Sequence, residues 1–164
     1  RIYSWSPGVI NEFINCGADC AEPFGQNQVV RLRAEAQAGF AFAGWDNAGC
    51  DSIDGAPTDP NCNLTMTTDR SLTTAFVPVF TLNITQSGPG LISSQPAGIL
   101  CDGNFNLDCT EDYVANTAVT LTAEPGVYGT FSGWSGNGCS GSALSCTVTM
   151  DQARTISASF SYEF

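Results

Sequence analysis

Residues 118–134 read AVTLTAEPGVYGTFSGW, and residues 29–45 read VVRLRAEAQAGFAFAGW. The pairs Val30/Val119, Leu32/Leu121, Glu35/Glu124, Phe42/Phe131, Trp45/Trp134 and Cys50/Cys139 all keep one spacing of 89 residues. Further on, TMTTDRSLTTAF at 65–76 is answered by TMDQARTISASF at 149–160. There Met66/Met150, Arg70/Arg154 and Phe76/Phe160 keep a spacing of 84. A repeat that holds its aromatic, cysteine and turn positions while its loops vary is a duplicated structural unit. The repeated residues are those of a fold, and none has the look of a catalytic group.

The duplication divides the 164 residues into unit one, 1–78, and unit two, 79–164. Each unit, about 80 residues long, buries a limited core and calls for covalent staples. Eight cysteines, four per unit, supply candidates and point to an oxidising compartment. No apolar run is long enough to cross a membrane as a helix. The chain opens on Arg1 with no signal-peptide pattern, so it reads as a mature or trimmed exported species. Net charge is -11, with no Lys and no His. That acidity disfavours phosphate backbones and anionic membrane surfaces as partners. The missing Lys also removes the usual guard of sheet edges.

Period-two alternation is frequent, as in Val119-Thr120-Leu121-Thr122-Ala123 and Cys146-Thr147-Val148-Thr149-Met150. Such runs, rich in Val, Ile, Thr and Phe, are half-buried strands. Gly-Pro-Gly, Pro-Gly and Gly-Asn-Gly turns separate them. The expected fold is all-β: two tandem small antiparallel β-domains of five or six short strands, each with two disulfides. Ala34-Glu35-Ala36-Gln37-Ala38 favours a helical turn, but its partner Ala123-Glu124-Pro125-Gly126-Val127 forbids one. The expected cores centre on Trp45, Phe42 and Phe76 in unit one and on Trp134, Phe131 and Phe160 in unit two.

Aligning Ser6-Pro7-Gly8 with Gly88-Pro89-Gly90 sets Arg1 opposite Asn83, so that unit one begins late in its first strand. Either the chain continues upstream or another chain completes that strand, since an unguarded edge is a template for strand addition. On this alignment the assembly residues are Arg1, Ile2, Tyr3 and Trp5 in unit one, and Phe80, Leu82 and Ile84 in unit two.

The cysteines fall in pairs: Cys16 and Cys20, Cys50 and Cys62, Cys101 and Cys109, Cys139 and Cys146. Spacing within a pair changes between units while the pairs persist. Disulfides tolerate such insertions, whereas zinc knuckles need tight spacing, typically with His. Four cysteines per unit allow three connectivities, and spacing does not choose among them; pairing of sequence neighbours is the working expectation. Loops this short contribute about 2–3 kcal/mol each in the chain-entropy model.

Unit two contains PAGILCDGNFNLDC, then VTLTAEPGVYGTFSGWSGNGCSG, then CTVTMDQARTISASF. This order resembles the divergent internalin-type B repeat, a small bacterial module found in tandem in secreted and cell-surface proteins. Residues 80–160 carry the pattern well. Unit one carries a degenerate copy, keeping Gly44-Trp45, Cys50, Cys62, Thr65-Met66 and Ala75-Phe76. It departs at Asp46-Asn47-Ala48 and in the longer loop Asp51 to Pro60. The resemblance implies an extracellular, β-rich spacer or adhesive module rather than an enzyme.

Without His, Ser/His and Cys/His nucleophiles and His-bound catalytic metals are excluded. Glu35 and Glu124 follow strands at turns and read as caps. No cofactor is expected. Calcium is the better of the ligand hypotheses: Asp102, Asn104, Asn106 and Asp108 alternate as do the first oxygen ligands of an EF-type loop, with Glu111 and Asp112 beyond. Against it, Leu107 stands where that loop needs Gly, and Tyr113 where it needs Glu. Unit one offers a looser set in Asp46, Asp51, Asp54 and Asp59. The plainer reading is Asx turns and solvating acids. Trp5 has no partner in unit two on the turn alignment, which makes it the expected exposed aromatic.

The functional expectation is a structural module of an exported bacterial protein. It would build an extracellular fibre or surface stalk by packing or strand addition with copies of itself or neighbouring repeats. The alternative is an adhesin or carbohydrate-binding appendage that takes a surface glycan.

Overall fold

A computed structural model describes residues 1–5, 15–17, 19–46, 49–53, 59–102 and 108–163; the side chains of Tyr3 and Trp5 also lie outside the description. The fold is all-β. Internal contacts separate two compact units, Arg1–Pro78 and Val79–Phe164.

Unit two is the fuller copy. Its strands are the second part of β7 (Thr74–Ser87), β8 (Gly90–Gln95), β9 (Leu100–Asp102), β10 (Thr110–Val114), β11 (Ala118–Pro125), β12 (Gly129–Gly136), β13 (Ser145–Thr149) and β14 (Arg154–Tyr162). They form one sheet in the order β10-β7-β14-β12 and another in the order β13-β11-β8-β9. Alternation decides which side chains go in: in β11, Val119, Leu121 and Ala123 are buried while Thr120 and Thr122 lie at the surface side. A single cluster joins them to Leu82, Ile84, Ile156 and Met150 from the rest of the unit. Leu82 and Ile84 sit on an interior strand, with β10 antiparallel on one side and β14 parallel on the other. The parallel pair is an exception to the expected antiparallel pattern.

Unit one repeats this plan with fewer strands among its described residues. β1 (Ile2–Trp5), β2 (Asn15–Cys16), β3 (Val29–Ala34), β5 (Ser52–Ile53) and β6 (Asn61–Thr65) form a sheet in the order β2-β1-β3-β6-β5. β4 (Phe40–Trp45) pairs with residues 74–78 of β7. The short strands β2, β5 and β9 take the number per unit above the expected five or six.

Two local devices recur. Asn27 and Asn116 both adopt left-handed backbone, with φ of 63° and 67°. Their amides donate to Met66 and Met150 carbonyls, which closes equivalent turns. The second device is a β-bulge. The β4–β7 register shifts between Phe42 and Gly44, and the β12–β14 register between Phe131 and Gly133. Residues three apart in a regular strand face opposite sides. The extra residue turns Phe and Trp of the F-x-G-W motif to one side, where Phe131 and Trp134 are both buried. The bulge needs glycine: φ is 126° at Gly44 and 144° at Gly133.

Register also corrects the first-strand alignment. Ile2 pairs with Ala34 and Ser4 with Leu32, just as Ile92 pairs with Ala123 and Ser94 with Leu121. β1 is therefore the counterpart of β8, and Arg1 stands opposite Leu91 rather than Asn83. Matching the Pro-Gly turns misled because such turns recur after several strands. Phe80, Leu82 and Ile84 are likewise not edge residues awaiting a partner. Leu82 is 0% exposed and Ile84 3%, and Phe80 packs against the same core. Glu124 lies within β11 rather than beyond it, while Glu35 does follow β3.

Replacing Gly133 by Ala is expected to lower the stability of unit two by about 1–3 kcal/mol, the cost of a strained backbone. Its Cβ would stand 3.0 Å from the Gly141 carbonyl oxygen. The exposed Ser132→Ala control should change stability by no more than about 0.5 kcal/mol. Guanidinium unfolding followed by near-ultraviolet circular dichroism measures both; equal stability of the two variants would show that the bulge does not depend on the glycine.

Candidate interaction surface

The repeated tryptophans are packed inside. Trp45 is 6% exposed and Trp134 4%. Each indole N–H reaches a loop carbonyl, Trp45 to Pro60 O at 3.2 Å and Trp134 to Ala143 O at 2.8 Å. Phe131 meets Trp134 edge-on at 5.0 Å between centroids, and Phe160 lies 5.1 Å from Phe131. In unit one the equivalent spacings are 5.8 Å for Phe42–Trp45 and 5.9 Å for Phe42–Phe76. Phe42 and Phe76 are only partly buried, packed against the unit-one cluster. Buried rings satisfied in this way are structural and offer no face to a sugar.

The disulfides join sequence neighbours: Cys16–Cys20, Cys50–Cys62, Cys101–Cys109 and Cys139–Cys146. Cys139–Cys146 closes the loop whose Ala143 carbonyl receives the Trp134 indole. Cys50–Cys62 likewise closes the loop that carries Pro60.

Arg70 and Arg154 clamp the same corner of their units. Arg154 donates to the carbonyls of Thr149 and Asn137, both at 2.9 Å, and to Asp151 at 2.7 Å. Arg70 donates to Gly49 O at 3.3 Å and to Asp51 at 2.6 Å. The arginine keeps its place while its carboxylate partner comes from a different loop. Asp51 also accepts the Thr65 amide at 2.6 Å. The Thr65 N–H, followed by the Arg70 guanidinium, holds the Asp51 carboxyl below its ordinary value. Sequence reading paired Arg70 with Arg154 but missed this partner, for which no shared spacing exists.

The remaining carboxylates of unit one serve local backbone. Asp46 accepts the Thr73 hydroxyl at 2.9 Å, and Asp59 accepts the Asn61 amide at 2.8 Å. Asp54 lies outside the described residues. Of the calcium candidates, Asn104 and Asn106 lie outside them too. Asp102 ends β9, and Asp108 accepts the Thr110 amide at 3.2 Å as an Asx turn does. Asp112 faces Thr81 on the neighbouring strand, accepting its hydroxyl at 2.6 Å. Among the described residues, no group of three or more Cys, Asp or Glu comes together to hold a metal.

One concavity stands out, and it lies wholly in unit one. It measures about 410 Å³, and its apolar wall includes Val30, Leu32, Trp45, Leu64, Met66 and Leu72. Glu22, Asp69 and Arg70 stand among its other lining residues. Ile2, expected to take part in assembly, also lines it, whereas Arg1 lies at the surface, its ammonium donating to Glu35 O at 2.6 Å.

Asp51 gives a pH test. Its carboxyl is held low in the fold, so its contribution to stability is complete above the unfolded value of about 3.9 and is lost as pH falls through the folded value. Acid titration should therefore cost the natural chain more stability below about pH 5 than it costs Asp51→Asn. Parallel slopes in urea titrations at stepped pH would remove the Arg70–Asp51 clamp from the account.

A family model described as the divergent InlB B-repeat domain matches residues 16–79 and again 102–164. Comparison with curated proteins and with solved structures gives no match.

Proposed function

The chain belongs to the divergent InlB B-repeat family, and we propose on that premise that it is a structural building block of an extracellular fibre or surface stalk. The family points to a bacterial surface repeat module, and four disulfides agree with an extracellular setting. The observation that carries the reading is what the two copies share. Bulge glycines, buried tryptophans, loop cystines and clamping arginines all serve the fold, and each recurs in both units. Partners on this reading are copies of the chain or neighbouring repeats, joined by packing or strand addition. The role is non-enzymatic. A chain without His, whose cysteines are all in disulfides, offers neither an imidazole base nor a thiolate nucleophile. With net charge -11, neither nucleic acid nor an anionic membrane is a fitting partner.

Electron microscopy of the protein taken from its source without denaturant should display regular filaments, with high-mass species in light scattering. A monodisperse monomer under those conditions would remove the fibre reading.

A second reading, adhesion to a glycan, is favoured by one spot. At the tip between β11 and β12, Val127 is 81% exposed and Tyr128 77%. Tyr128 holds φ of 60°, a costly conformation for an aromatic residue, and strain of this kind gathers at binding sites. If Tyr128 stacks on sugar, a glycan array gives hits that Tyr128→Ala weakens at least ~10-fold, as loss of about 1.4 kcal/mol requires. An array without hits sinks this alternative.

A further inference from the structure

We propose that the tip between β11 and β12 is a binding site for a neutral glycan bearing acetamido groups, with Tyr128 as the ring on which a sugar stacks. The inference deepens the glycan reading and rests on it. It comes from comparing one turn in its two copies.

The turn is built once in each unit. In unit one it joins β3 to β4, and the Phe40 amide donates to Gln37 O at 3.0 Å. In unit two it joins β11 to β12, and the Gly129 amide donates to Gly126 O at 2.9 Å. Through the spacing of 89, Gly39 and Tyr128 hold the same position. Both backbones are left-handed there, with φ of 82° at Gly39 and 60° at Tyr128. Glycine adopts that conformation freely, whereas the Cβ of any other residue crowds the following carbonyl oxygen. The turn asks for glycine, and unit two puts a tyrosine there.

Burial does not offset that strain, because Tyr128 is 77% exposed. The backbone is held from outside instead. The Tyr128 carbonyl accepts the Glu163 amide at 2.8 Å, and the Gly126 amide donates to Pro89 O at 3.1 Å. A strained residue fixed by its surroundings, with its side chain in solvent, fits a binding site better than a core. The neighbours change with it. Val127, 81% exposed, stands where unit one has Ala38. Tyr162, 58% exposed, pairs with Gly129 across β12 and β14, where Pro78 pairs with Phe40 in unit one. Unit two thus gathers two tyrosines and a valine at a corner where unit one has glycine, proline and alanine.

The chemistry of the ligand follows. A rigid aromatic ring that is apolar on its face and polar at its tip suits the apolar face of a pyranose. Val127 adds an aliphatic contact, which a methyl group matches and a hydroxyl does not; an acetamido group supplies that methyl. Two carboxylates flank the turn. Glu124 lies exposed near the end of β11, and Glu163 accepts the Thr130 hydroxyl at 2.6 Å. Carboxylates accept hydrogen bonds from sugar hydroxyls and repel anionic sugars. Arg154, the one basic residue that the sequence gives unit two, lies at the other end of β14. The ligand is therefore a neutral, acetamido-bearing glycan rather than a uronic or sialic one.

The probe is tetra-N-acetylchitotetraose, titrated into the isotope-labelled full chain with its disulfides intact. Shift changes are expected at the Tyr128 and Tyr162 rings and at the Val127 methyls, with the Gly39 amide unmoved. Cellotetraose, which lacks the acetamido group, should bind at least ~10-fold more weakly, and tetragalacturonate should give no shifts. Tyr128→Asn removes the ring and introduces a residue that this chain already holds left-handed at Asn27 and Asn116. That variant should lose the response, while its thermal midpoint equals or exceeds that of the natural chain. Absence of shifts at about 10 mM tetra-N-acetylchitotetraose would overturn the proposal, and so would equal binding of cellotetraose or tetragalacturonate. A midpoint lowered by more than about 4 °C would make the tyrosine part of the fold and overturn it as well. On a glycan array, hits confined to anionic or unacetylated glycans that Tyr128→Asn removes would discard the assigned class and leave the glycan reading standing. An array without hits would discard both.

Discussion

The β-bulge at Phe-x-Gly-Trp is the constraint on which each unit is built. Without the extra residue, Phe131 and Trp134 would face opposite sides of β12, and one of them would meet water. With it, both rings enter the same core and stack edge-on at 5.0 Å. The indole N–H then needs an acceptor, since burying it unpaired costs about 1–3 kcal/mol. The Ala143 carbonyl provides it, on a loop that Cys139–Cys146 holds closed. Glycine geometry, ring placement, indole hydrogen bond and cystine are therefore one device. Unit one repeats it with Gly44, Trp45, Pro60 and Cys50–Cys62.

Size explains why so much covalent and polar support surrounds it. A unit of about 80 residues gains little beyond its conformational entropy cost from burial alone. Two cystines per unit restrict the unfolded chain, and an arginine hydrogen-bonds the carbonyl that lies just before the second cysteine loop, Arg70 to Gly49 and Arg154 to Asn137. In unit two Arg154 makes three hydrogen bonds with only 13% of its side chain exposed. The low side-chain exposure makes its guanidinium a better clamp than a surface ion pair of the same length would be.

Much of this was legible in the chain. Alternation at Val119-Thr120-Leu121-Thr122-Ala123 gave the strand and its buried side, and the recurrence of Trp beside a cysteine gave the core. The rest was hidden for physical reasons. A bulge breaks period two by one residue, so F-x-G-W reads as a motif without revealing its geometry. The parallel β7–β14 pair joins residues more than seventy positions apart, which no local pattern encodes. Pro-Gly turns are interchangeable signals, and aligning on them set Arg1 against Asn83; the aliphatic residue paired with Ala34 or Ala123 was the better guide, because side-chain burial fixes register while turns only end strands.

Register also bears on how the first copy diverged from the second. Its loops differ freely: the stretch from Asp51 to Pro60 is longer, and Asp46 has replaced the serine that follows Trp134. The positions that line the unit-one concavity have not drifted toward polar residues. Met66 matches Met150, Leu72 stands for Ile156 and Ile2 for Ile92, even though all three are half-exposed in unit one. Fully burying one such side chain is worth roughly 1.5–3 kcal/mol. Leaving three of them partly in water costs unit one part of that burial, which the compact cluster of unit two keeps for Met150, Ile156 and Ile92. The concavity of unit one and the half-buried Met66, Leu72 and Ile2 describe the same looser packing, from the space enclosed and from the side chains that border it.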